Sequence, residues 1–454
     1  MDWETVKQRL DALLEADKRI ELRGALRMLN RVDVAQYLSE LDTEKMLKVF
    51  RILPSEISSD VFSYMDDDQR EKLISTIGDQ EICRLVDDMF IDDAVDFLED
   101  LPSDLVNRVL ENVSDDTRKV INRFLSYPEN SAGSIMTIEF CAFPGDFTVA
   151  QAMKEIRRTG VDKETINTLY VLDKNGKLTG TLALRKLISA DDDQPVSELS
   201  DSNFVSVGTL DDQEMVAETV RKYDLLAVPV VDKEGRPVGI ITADDILDVL
   251  QDEATEDIEK MSALTPSEDT YMKTGVFTLV KNRLPWLMLM LVASIFTGLI
   301  ISHYEEILTA PALGSIGVAL TACIPMIMDT GGNCGQQSST LIIRGLATGE
   351  VGPGDALKVL WKETRVALLV ACALAVVCFL IQKFIFGIDL SVAITISLAM
   401  IFCVLFAKIL GGLLPLGVKA LRLDPALIAS PMITTVADTC SLLILFVLAT
   451  AVLL

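Results

Sequence analysis

The residues of this sequence best suited to chemistry are polar side chains inside apolar stretches. One such stretch contains Asp329, Asn333 and Gln337 beside the paired glycines Gly331 and Gly332. A lipid-facing helix does not tolerate a carboxylate and several amides, because each loses its hydration in hydrocarbon. Carboxylate, amide and carbonyl oxygens are also the ligands that hard divalent cations accept. The run therefore predicts a water-filled polar path. The alternative is a tightly packed helix crossing built from small residues.

A second intramembrane carboxylate, Asp438, lies in the last apolar stretch. Thr434 precedes it by four residues and Ser441 follows it by three, which places the three side chains on one face of a helix. An ionised carboxylate in hydrocarbon costs at least about 2–3 kcal/mol, so Asp438 must face water or a protein interior. This stripe is typical of a pore-lining face. The alternatives are a structural pair of Asp438 with Lys408 and, for Asp329, a capping role at a broken helix.

Five apolar stretches end the sequence, and each is long enough to cross a bilayer as a helix, which takes about 20 residues. Basic residues gather before the first stretch, between the second and third, and between the fourth and fifth. By the positive-inside rule the N-terminus is expected in the cytoplasm and the C-terminus outside. Pro325 is expected to break the second helix, and Gly411, Gly412 and Pro415 the fourth, as a hinge or a point of close packing. The stretches are about 284–302, 313–343, 366–386, 392–421 and 427–454.

Charge is divided along the chain in a way that one compact soluble protein does not show. Half of the 454 residues are hydrophobic, yet the net charge is −26. From Arg283 onward there are nine basic and nine acidic side chains, so the whole acidic excess lies before Arg283. Apolar side chains require burial and charge of one sign requires water. The division excludes a soluble enzyme, a nucleic-acid binder and a disordered acidic tail, and it predicts an acidic cytoplasmic part before a membrane part.

Two segments between residues 131 and 255 repeat each other. An aspartate and two glycines recur at identical spacing, as Asp173, Gly176 and Gly180 and as Asp232, Gly235 and Gly239. Each segment predicts a strand, a tight turn at the first glycine, a second strand and a helix. The tandem unit resembles a pair of CBS domains, which are regulatory modules that bind nucleotides or ions.

The residues on either side of this pair are expected to be helical. Residues 1–130 carry apolar side chains at helical spacing in short runs, and Pro54 and Pro102 each begin a Pro-Ser-acid step that ends such a run. The pattern indicates a stack of amphipathic helices. After the pair, Thr265-Pro266-Ser267-Glu268 has the pattern of a capping box with proline in the first turn. A linker helix is therefore expected to begin there and to end near residue 284.

The membrane part resembles MgtE magnesium channels in specific motifs. These are Pro325, Asp329, Gly331-Gly332-Asn333, Gly335-x-Gln337, the run Arg344-Gly345-Leu346-Ala347-Thr348-Gly349-Glu350, and Pro431-x3-Thr435-x2-Asp438. The resemblance implies a multi-domain membrane protein that is not an enzyme. Its parts would be an all-α superhelical N domain at 1–130, an α/β CBS pair at 131–255, a linker with a plug helix at 256–284, and an α-helical five-span pore domain at 285–454.

The resemblance also implies a function. The chain would be a homodimeric Mg2+-selective channel of the inner membrane that imports Mg2+ through a pore between its subunits, with Asp438 of both subunits around a largely hydrated ion. The oxygen-rich path suits Mg2+, and a sequence with one histidine disfavours zinc or copper. The pore and selectivity residues implied are Asp438, Asn333, Asp329, Gly331, Gly332, Gln337, Thr434 and Thr435.

The acidic runs that precede the apolar stretches suggest a Mg2+ sensor. Like-charged faces repel unless cations bridge them, so Mg2+ would draw these surfaces together and close the pore, and low Mg2+ would release them. The resemblance implies ATP at the CBS pair, with Thr242 and Asp245 on ribose and phosphate; the alternative for Thr242 is a plain helix N-cap. It also implies Mg2+ ligands at Asp60, Asp92, Asp96, Asp212, Glu214, Asp224, Asp245, Asp248, Glu253, Glu256 and Asp257.

Three other functions fit parts of the pattern. A transporter of broader specificity, for Co2+ or Mn2+, would use the same oxygen ligands. An intramembrane aspartyl protease also needs two carboxylates, but neither Asp329 nor Asp438 is the aspartate of a Gly-x-Gly-Asp motif. A CBS-regulated anion channel would need a basic pore lining, and the stretches offer acids instead. The residues therefore favour cation transport.

Overall fold

The computed structural model describes residues 3–99, 101–267, 271–272, 274–308 and 315–453. The chain forms two compact units, Met1–Gln251 and Asp252–Leu454. The first unit begins with short helices, as the apolar spacing predicts. They are α1 Trp3–Glu15, α2 Arg19–Arg27, α3 Arg31–Ser39, α4 Thr43–Phe50, α5 Ser55–Ser63, α6 Asp67–Thr76, α7 Asp79–Asp87, α8 Ile91–Glu99, α9 Ser103–Asn112 and α10 Asp115–Phe124.

Local chemistry starts several of these helices. The side chains of Asn30, Asp42 and Ser114 each accept a hydrogen bond from a backbone N–H in the first turn of α3, α4 and α10. Such caps satisfy amides that a helix leaves without a partner at its start. The inward faces form one apolar core, in which Phe62 packs edge-on against Phe97 with ring centroids 4.9 Å apart. The predicted all-α N domain is confirmed.

Two small sheets follow, with the same topology. In each, a parallel pair is extended by an antiparallel hairpin, in the orders β1-β2-β3 and β4-β5-β6. The predicted tandem repeat is therefore confirmed in the fold. Its elements are β1 Ala142–Pro144, α11 Val149–Thr159, β2 Thr168–Leu172, β3 Leu178–Ala183, α12 Leu184–Ile188, α13 Val196–Leu199, β4 Val207–Gly208, α14 Gln213–Tyr223, β5 Ala227–Val231, β6 Pro237–Thr242 and α15 Ala243–Met261.

The repeated aspartates and glycines build the two hairpin turns. Gly176 and Gly235 have φ of +78° and +79°, a backbone conformation that residues with a Cβ rarely adopt. In each turn one oxygen of the preceding aspartate, Asp173 or Asp232, accepts two backbone N–H bonds of 2.8–3.0 Å. The spacing of these residues thus reflects turn geometry.

The linker helix predicted to begin at Thr265 is wrong. Residues 265–267 are not helical, and Glu268 lies outside the described residues. The N–H of Thr265 donates to the Asn282 carbonyl, and the N–H of Ser267 donates to the Glu259 carboxylate at 3.1 Å, so neither amide opens a helix. Helix α15 instead continues through the acidic end of the CBS pair to Met261, and the next helix begins at Val276.

Among its described residues, the second unit contains five long helices. They are α16 Val276–Leu308, α17 Ser315–Ala347, α18 Ala356–Leu380, α19 Leu390–Ala420 and α20 Pro425–Leu453. A π-helical turn, Ile381–Ile385, follows α18. In the described part of the chain, four segments are long and apolar enough to cross a membrane: Val276–Glu305, Pro353–Ile385, Leu390–Ala420 and Met432–Leu453. Helix α17 is as long as α16, but its polar run keeps it out of that set. It packs within the same bundle, against α19 and α20.

The predicted breaks in the second and fourth helices are wrong. Helix α17 passes through Pro325 and its glycines without interruption, and α19 passes through Gly411, Gly412 and Pro415. The alternative of close packing explains the glycines. A Cβ at Gly411 would lie 2.1 Å from the Gly335 carbonyl oxygen, so the two backbones touch where α17 crosses α19. This contact between small residues replaces the hinge that the sequence suggested.

Candidate ion path and acidic cluster

The polar residues of α17 form a stripe along one face. Asp329, Asn333, Gln336 and Gln337 are exposed in the single chain, and their spacing of four, seven and eight residues returns to one side of a helix. Gly331 and Gly332 lie on the buried side. Carboxylates and amides do not remain against lipid, so this face requires water or another protein surface. We refer to these four exposed side chains as the polar stripe.

Asp438 lies where α20 meets α17. A Cβ at Gly332 would lie 3.3 Å from one Asp438 carboxylate oxygen and 3.6 Å from Thr434 Cγ2. Ser441 lies about one turn beyond Asp438 on α20 and is fully buried. A Cβ at Gly331 would lie 2.6 Å from its hydroxyl. The two glycines therefore let the polar face of α20 approach the α17 backbone. Asp438 and Thr434 come together as the sequence predicted.

The other predicted pore residues are placed differently. Thr435 lies on the side of α20 toward α16, with its hydroxyl 3.6 Å from Met290 Sδ. Asp329 lies inside α17 and does not cap a helix end. The alternative pairing of Asp438 with Lys408 is not formed. The Lys408 ammonium instead donates to the Ser338 hydroxyl at 3.4 Å.

In the first unit, carboxylates from distant parts of the chain form an acidic cluster. Asp92 and Asp93 on α8 lie near Asp245 on α15 and near Glu164, and all four are half-buried. Burial and the neighbouring Asp93 and Asp245 raise the pKa of Asp92 to about 8. Burial and the carboxylates of α15 raise the pKa of Glu164 to about 7. The cluster thus holds more negative charge than its surroundings stabilise.

The dense acidic runs of the sequence include Asp93 and Asp244, which stand beside the predicted ligands Asp92 and Asp245 but were not themselves predicted as ligands. Sequence reasoning missed Glu164. Glu164 lies in a loop without a motif, and only the fold brings it to α8 and α15. Within the described residues, no three His, Cys, Asp or Glu side chains are arranged to hold a metal ion. The cluster therefore offers charge rather than a finished coordination shell.

Most other predicted Mg2+ ligands are on the surface. Asp60 pairs with Arg31 at 3.5 Å, while Asp96 and Asp248 are exposed on α8 and α15. Asp212 caps α14 by accepting the N–H of Glu214, whereas Asp224 ends the same helix in a left-handed conformation. The two ends of α14 are roughly 18 Å apart at 1.5 Å per residue. One chain therefore does not bring Asp224 together with Asp212 and Glu214.

Near the end of α15 a lysine already bridges two carboxylates. The Lys260 ammonium lies 2.6 Å from Glu256 and 2.9 Å from Asp424, the residue before α20. Burial lowers the pKa of Lys260, but its bonds to both carboxylates outweigh burial and leave the pKa raised. The pKa of Asp257 is raised by burial and by Asp424, and the nearby Glu253 is half-buried. The predicted ligand Glu256, like Asp60, thus already has a cationic partner within the chain.

Thr242 and Asp245, the predicted nucleotide contacts, are bonded to each other. The Thr242 hydroxyl donates to the Asp245 carboxylate at 2.6 Å, and the Thr242 N–H donates to the same oxygen at 3.3 Å. Thr242 immediately precedes α15, so this is the arrangement of a helix start. The bond from the Thr242 N–H to Asp245 is one half of a capping box. Nucleotide binding at these two residues stays a prediction.

The acidic cluster predicts that protons stabilise the first unit. The raised pKa values mean that this stabilisation is complete below about pH 4 and is lost as the pH rises through about 7 and 8. We expect the thermal midpoint of the first unit, without divalent cations, to fall by on the order of 5 °C between pH 6 and pH 8.5. Asp92→Asn should flatten this slope. Asp116→Asn, at an exposed carboxylate, should leave it unchanged; equal slopes in all three proteins would contradict the prediction.

Comparisons with known proteins agree with these features. Family models match at 29–130 for the MgtE intracellular N domain, at 132–193 and 196–252 for CBS domains, and at 324–448 for MgtE, a divalent cation transporter. The magnesium transporter MgtE of Thermus thermophilus is 33% identical, over 96% of this chain and 95% of its own length. The magnesium transporter MgtE of Bacillus subtilis is 29% identical, over 99% of this chain and 98% of its own length. A solved cytosolic domain of the Mg2+ channel MgtE in complex with ATP is 34% identical, with a TM-score of 0.50 over 53% of this chain and 97% of its own. The chain therefore belongs to the MgtE family of divalent cation transporters.

Proposed function

We propose that this protein is a Mg2+-selective channel that admits Mg2+ along α17 and α20. The observation that carries the proposal is the polar stripe, which an apolar bundle leaves exposed, on the same helix whose Gly332 packs against Asp438. In a dimer, the polar stripe of each chain would face that of the other. The two Asp438 carboxylates would then lie on either side of one path. The names of the two relatives support Mg2+ as the ion.

The donor set supports a hydrated divalent ion. Mg2+ gives up water reluctantly and accepts oxygen ligands in octahedral geometry. Carboxylates and amides spaced along a helix bind such an ion through its waters without a closed cage. The proposed orientation has the N-terminus in the cytoplasm and the C-terminus outside an inner membrane, since the basic loops follow the positive-inside rule.

Flux into liposomes tests this function. Purified protein in liposomes loaded with a Mg2+-sensitive dye should admit Mg2+ faster than protein-free liposomes. Co2+ and Mn2+ added outside distinguish the second candidate, a transporter of broader divalent specificity, which the family description supports. Competition at concentrations similar to that of Mg2+ would favour it, and no Mg2+ uptake above the protein-free rate would exclude both functions.

For regulation, we propose that cytoplasmic Mg2+ closes the channel by binding among the acids of the first unit. The acidic cluster supports this, because its half-buried carboxylates repel one another until a cation or protons neutralise them. Millimolar Mg2+ should therefore protect the α8 region of the full chain from protease, whereas K+ at equal ionic strength should not. An unchanged digestion pattern would contradict this mechanism. ATP at the CBS pair is proposed on the ATP-bound relative, with Thr242 and Asp245 as its contacts.

The end of α15 is the proposed connection to α20. Lys260 holds Asp424 directly before α20, and Met261 packs against the cluster of Ile343 and Ile433. We expect Lys260→Met and Asp424→Asn each to weaken closure, so that the internal Mg2+ concentration for half-inhibition rises by about threefold or more, as loss of ~0.7 kcal/mol of coupling implies.

The two variants control for each other. They change the net charge in opposite directions, so a purely electrostatic effect would shift half-inhibition in opposite directions, whereas loss of the contact shifts both the same way. Asparagine also keeps the oxygen that accepts the Ala426 N–H at 2.8 Å, so the start of α20 remains capped. Opposite shifts would contradict the connection.

A further inference from the structure

A buried polar network lies behind the polar stripe, on the opposite side of α17. The Ser338 hydroxyl donates to the Glu363 carboxylate of α18 at 2.7 Å and accepts from the Lys408 ammonium of α19 at 3.4 Å. Ser338 follows Asn333 by five residues, which is about 140° around a helix. The network therefore joins three helices on the side away from the proposed path.

Both charges of this network are removed from solvent. Lys408 is 4% exposed, Glu363 is 9% exposed and Ser338 is 1% exposed. In the part of the chain that the structure describes, no carboxylate lies within 4.0 Å of the Lys408 ammonium, so the serine hydroxyl alone links the two charges. A single unpaired charge in such a place is strongly destabilising, whereas a balanced pair is tolerated.

The network lies at the crossing that fixes α17. A Cβ at Gly412 would lie 3.0 Å from Glu363 Cγ, and the adjacent Gly411 touches the Gly335 backbone of α17. Gly335 is also two residues from Asn333 and from Gln337 of the polar stripe. A shift of the network therefore moves stripe residues along or around the helix axis.

We propose that Lys408 and Glu363 form a charge-balanced pair, bridged by Ser338, that positions α17 and cancels a fixed positive charge beside the cation path. The inference rests on the proposed function, because it takes α17 as a helix of the path. Lys408 and Glu363 are positioning residues that do not touch the ion in this arrangement. The lysine ties α17 to α19, and the glutamate prevents its charge from repelling cations.

Removing Glu363 and removing Lys408 should shift the Mg2+ concentration for half-maximal flux in opposite directions. Glu363→Gln leaves the ammonium unbalanced, which raises the Mg2+ concentration for half-maximal flux. Lys408→Met leaves the carboxylate unbalanced, which lowers that concentration. Because a divalent ion feels twice the energy of a monovalent ion beside the same fixed charge, we expect each shift to be about fivefold or more. A purely structural role would damage both variants in the same direction.

The experiment compares wild type, both single variants and the double variant Glu363→Gln/Lys408→Met in liposomes, with flux expressed per folded protein after gel filtration. Lys362→Gln is the matched control, because it removes one positive charge from an exposed side chain next to Glu363. We expect opposite shifts for the single variants, a return to within about twofold of wild type for the double variant, and no shift for the control.

Two results would overturn the inference. One is a shift of both single variants in the same direction, and the other is a double variant as impaired as the worse single variant. If wild type itself carries no Mg2+, the proposed function fails separately. The network is then judged by thermal midpoint, which should be higher in the double variant than in either single variant, and a midpoint lower than both would refute the pairing.

Discussion

Liposomes that contain the Asp438→Asn variant are expected to take up Mg2+ at least about a hundredfold more slowly than wild type, a loss of ~2.7 kcal/mol in the barrier. Asp438 is the carboxylate of α20 that lies against Gly332, beside Thr434. Asparagine keeps the shape of the side chain and removes its charge. If two such carboxylates hold a hydrated divalent ion, the loss of both charges in a dimer removes most of the attraction.

The control for this variant is Asp389→Asn, at an exposed carboxylate directly before α19. It removes the same charge at the end of a helix and should leave uptake within about twofold of wild type, since exposed charges are screened by salt. Gel filtration in detergent must show equal amounts of folded protein for both variants. Undiminished Mg2+ uptake by Asp438→Asn would contradict the assignment of Asp438 to the ion path.

Gly411→Ala is expected to cause the largest loss of stability in the membrane helices. The added Cβ would lie 2.1 Å from the Gly335 carbonyl oxygen and 2.9 Å from its carbon, and both are backbone atoms that cannot rotate away. Helices α17 and α19 would have to separate, and overpacking of this kind costs about 1–3 kcal/mol. Because α17 carries the polar stripe, Mg2+ uptake should fall together with the thermal midpoint.

Gly417→Ala is the matched control on the same helix. A Cβ at Gly417 meets no atom within 4 Å, so alanine should be neutral or should stabilise α19 by up to about 1 kcal/mol through its higher helix propensity. Thermal unfolding of both variants in detergent measures the difference. Equal midpoints would show that the Gly335–Gly411 contact does not hold the bundle together.

Local patterns in the sequence predicted the local structures well. The Asp-to-Gly spacing predicted both hairpin turns because one side chain and one backbone conformation define such a turn. The spacing of Thr434 and Asp438 predicted a shared helix face, and Gly332 on α17 packs against that face. In these cases the residues that determine the structure are neighbours in the chain.

Predictions that depended on distant contacts were less successful. Glycine and proline in α17 and α19 indicated broken helices, but whether a glycine bends a helix or admits another backbone depends on the helix that it meets. Glu164 carried no pattern, since its role in the acidic cluster comes from the fold. The helix predicted at Thr265 does not form there. The N–H of Thr265 bonds to the Asn282 carbonyl and the N–H of Ser267 to the Glu259 carboxylate, and both partners lie outside the motif.

The length of α15 has a mechanical consequence. This helix starts directly after β6 of the second CBS motif and continues unbroken for 19 residues to Met261. At 1.5 Å per residue it is a rod of about 28 Å, and a tilt of about 10° at its first turn displaces its far end by about 5 Å. A small tilt where α15 leaves the sheet is thus enlarged at Lys260, so the proposed closure would need no large movement within the CBS fold.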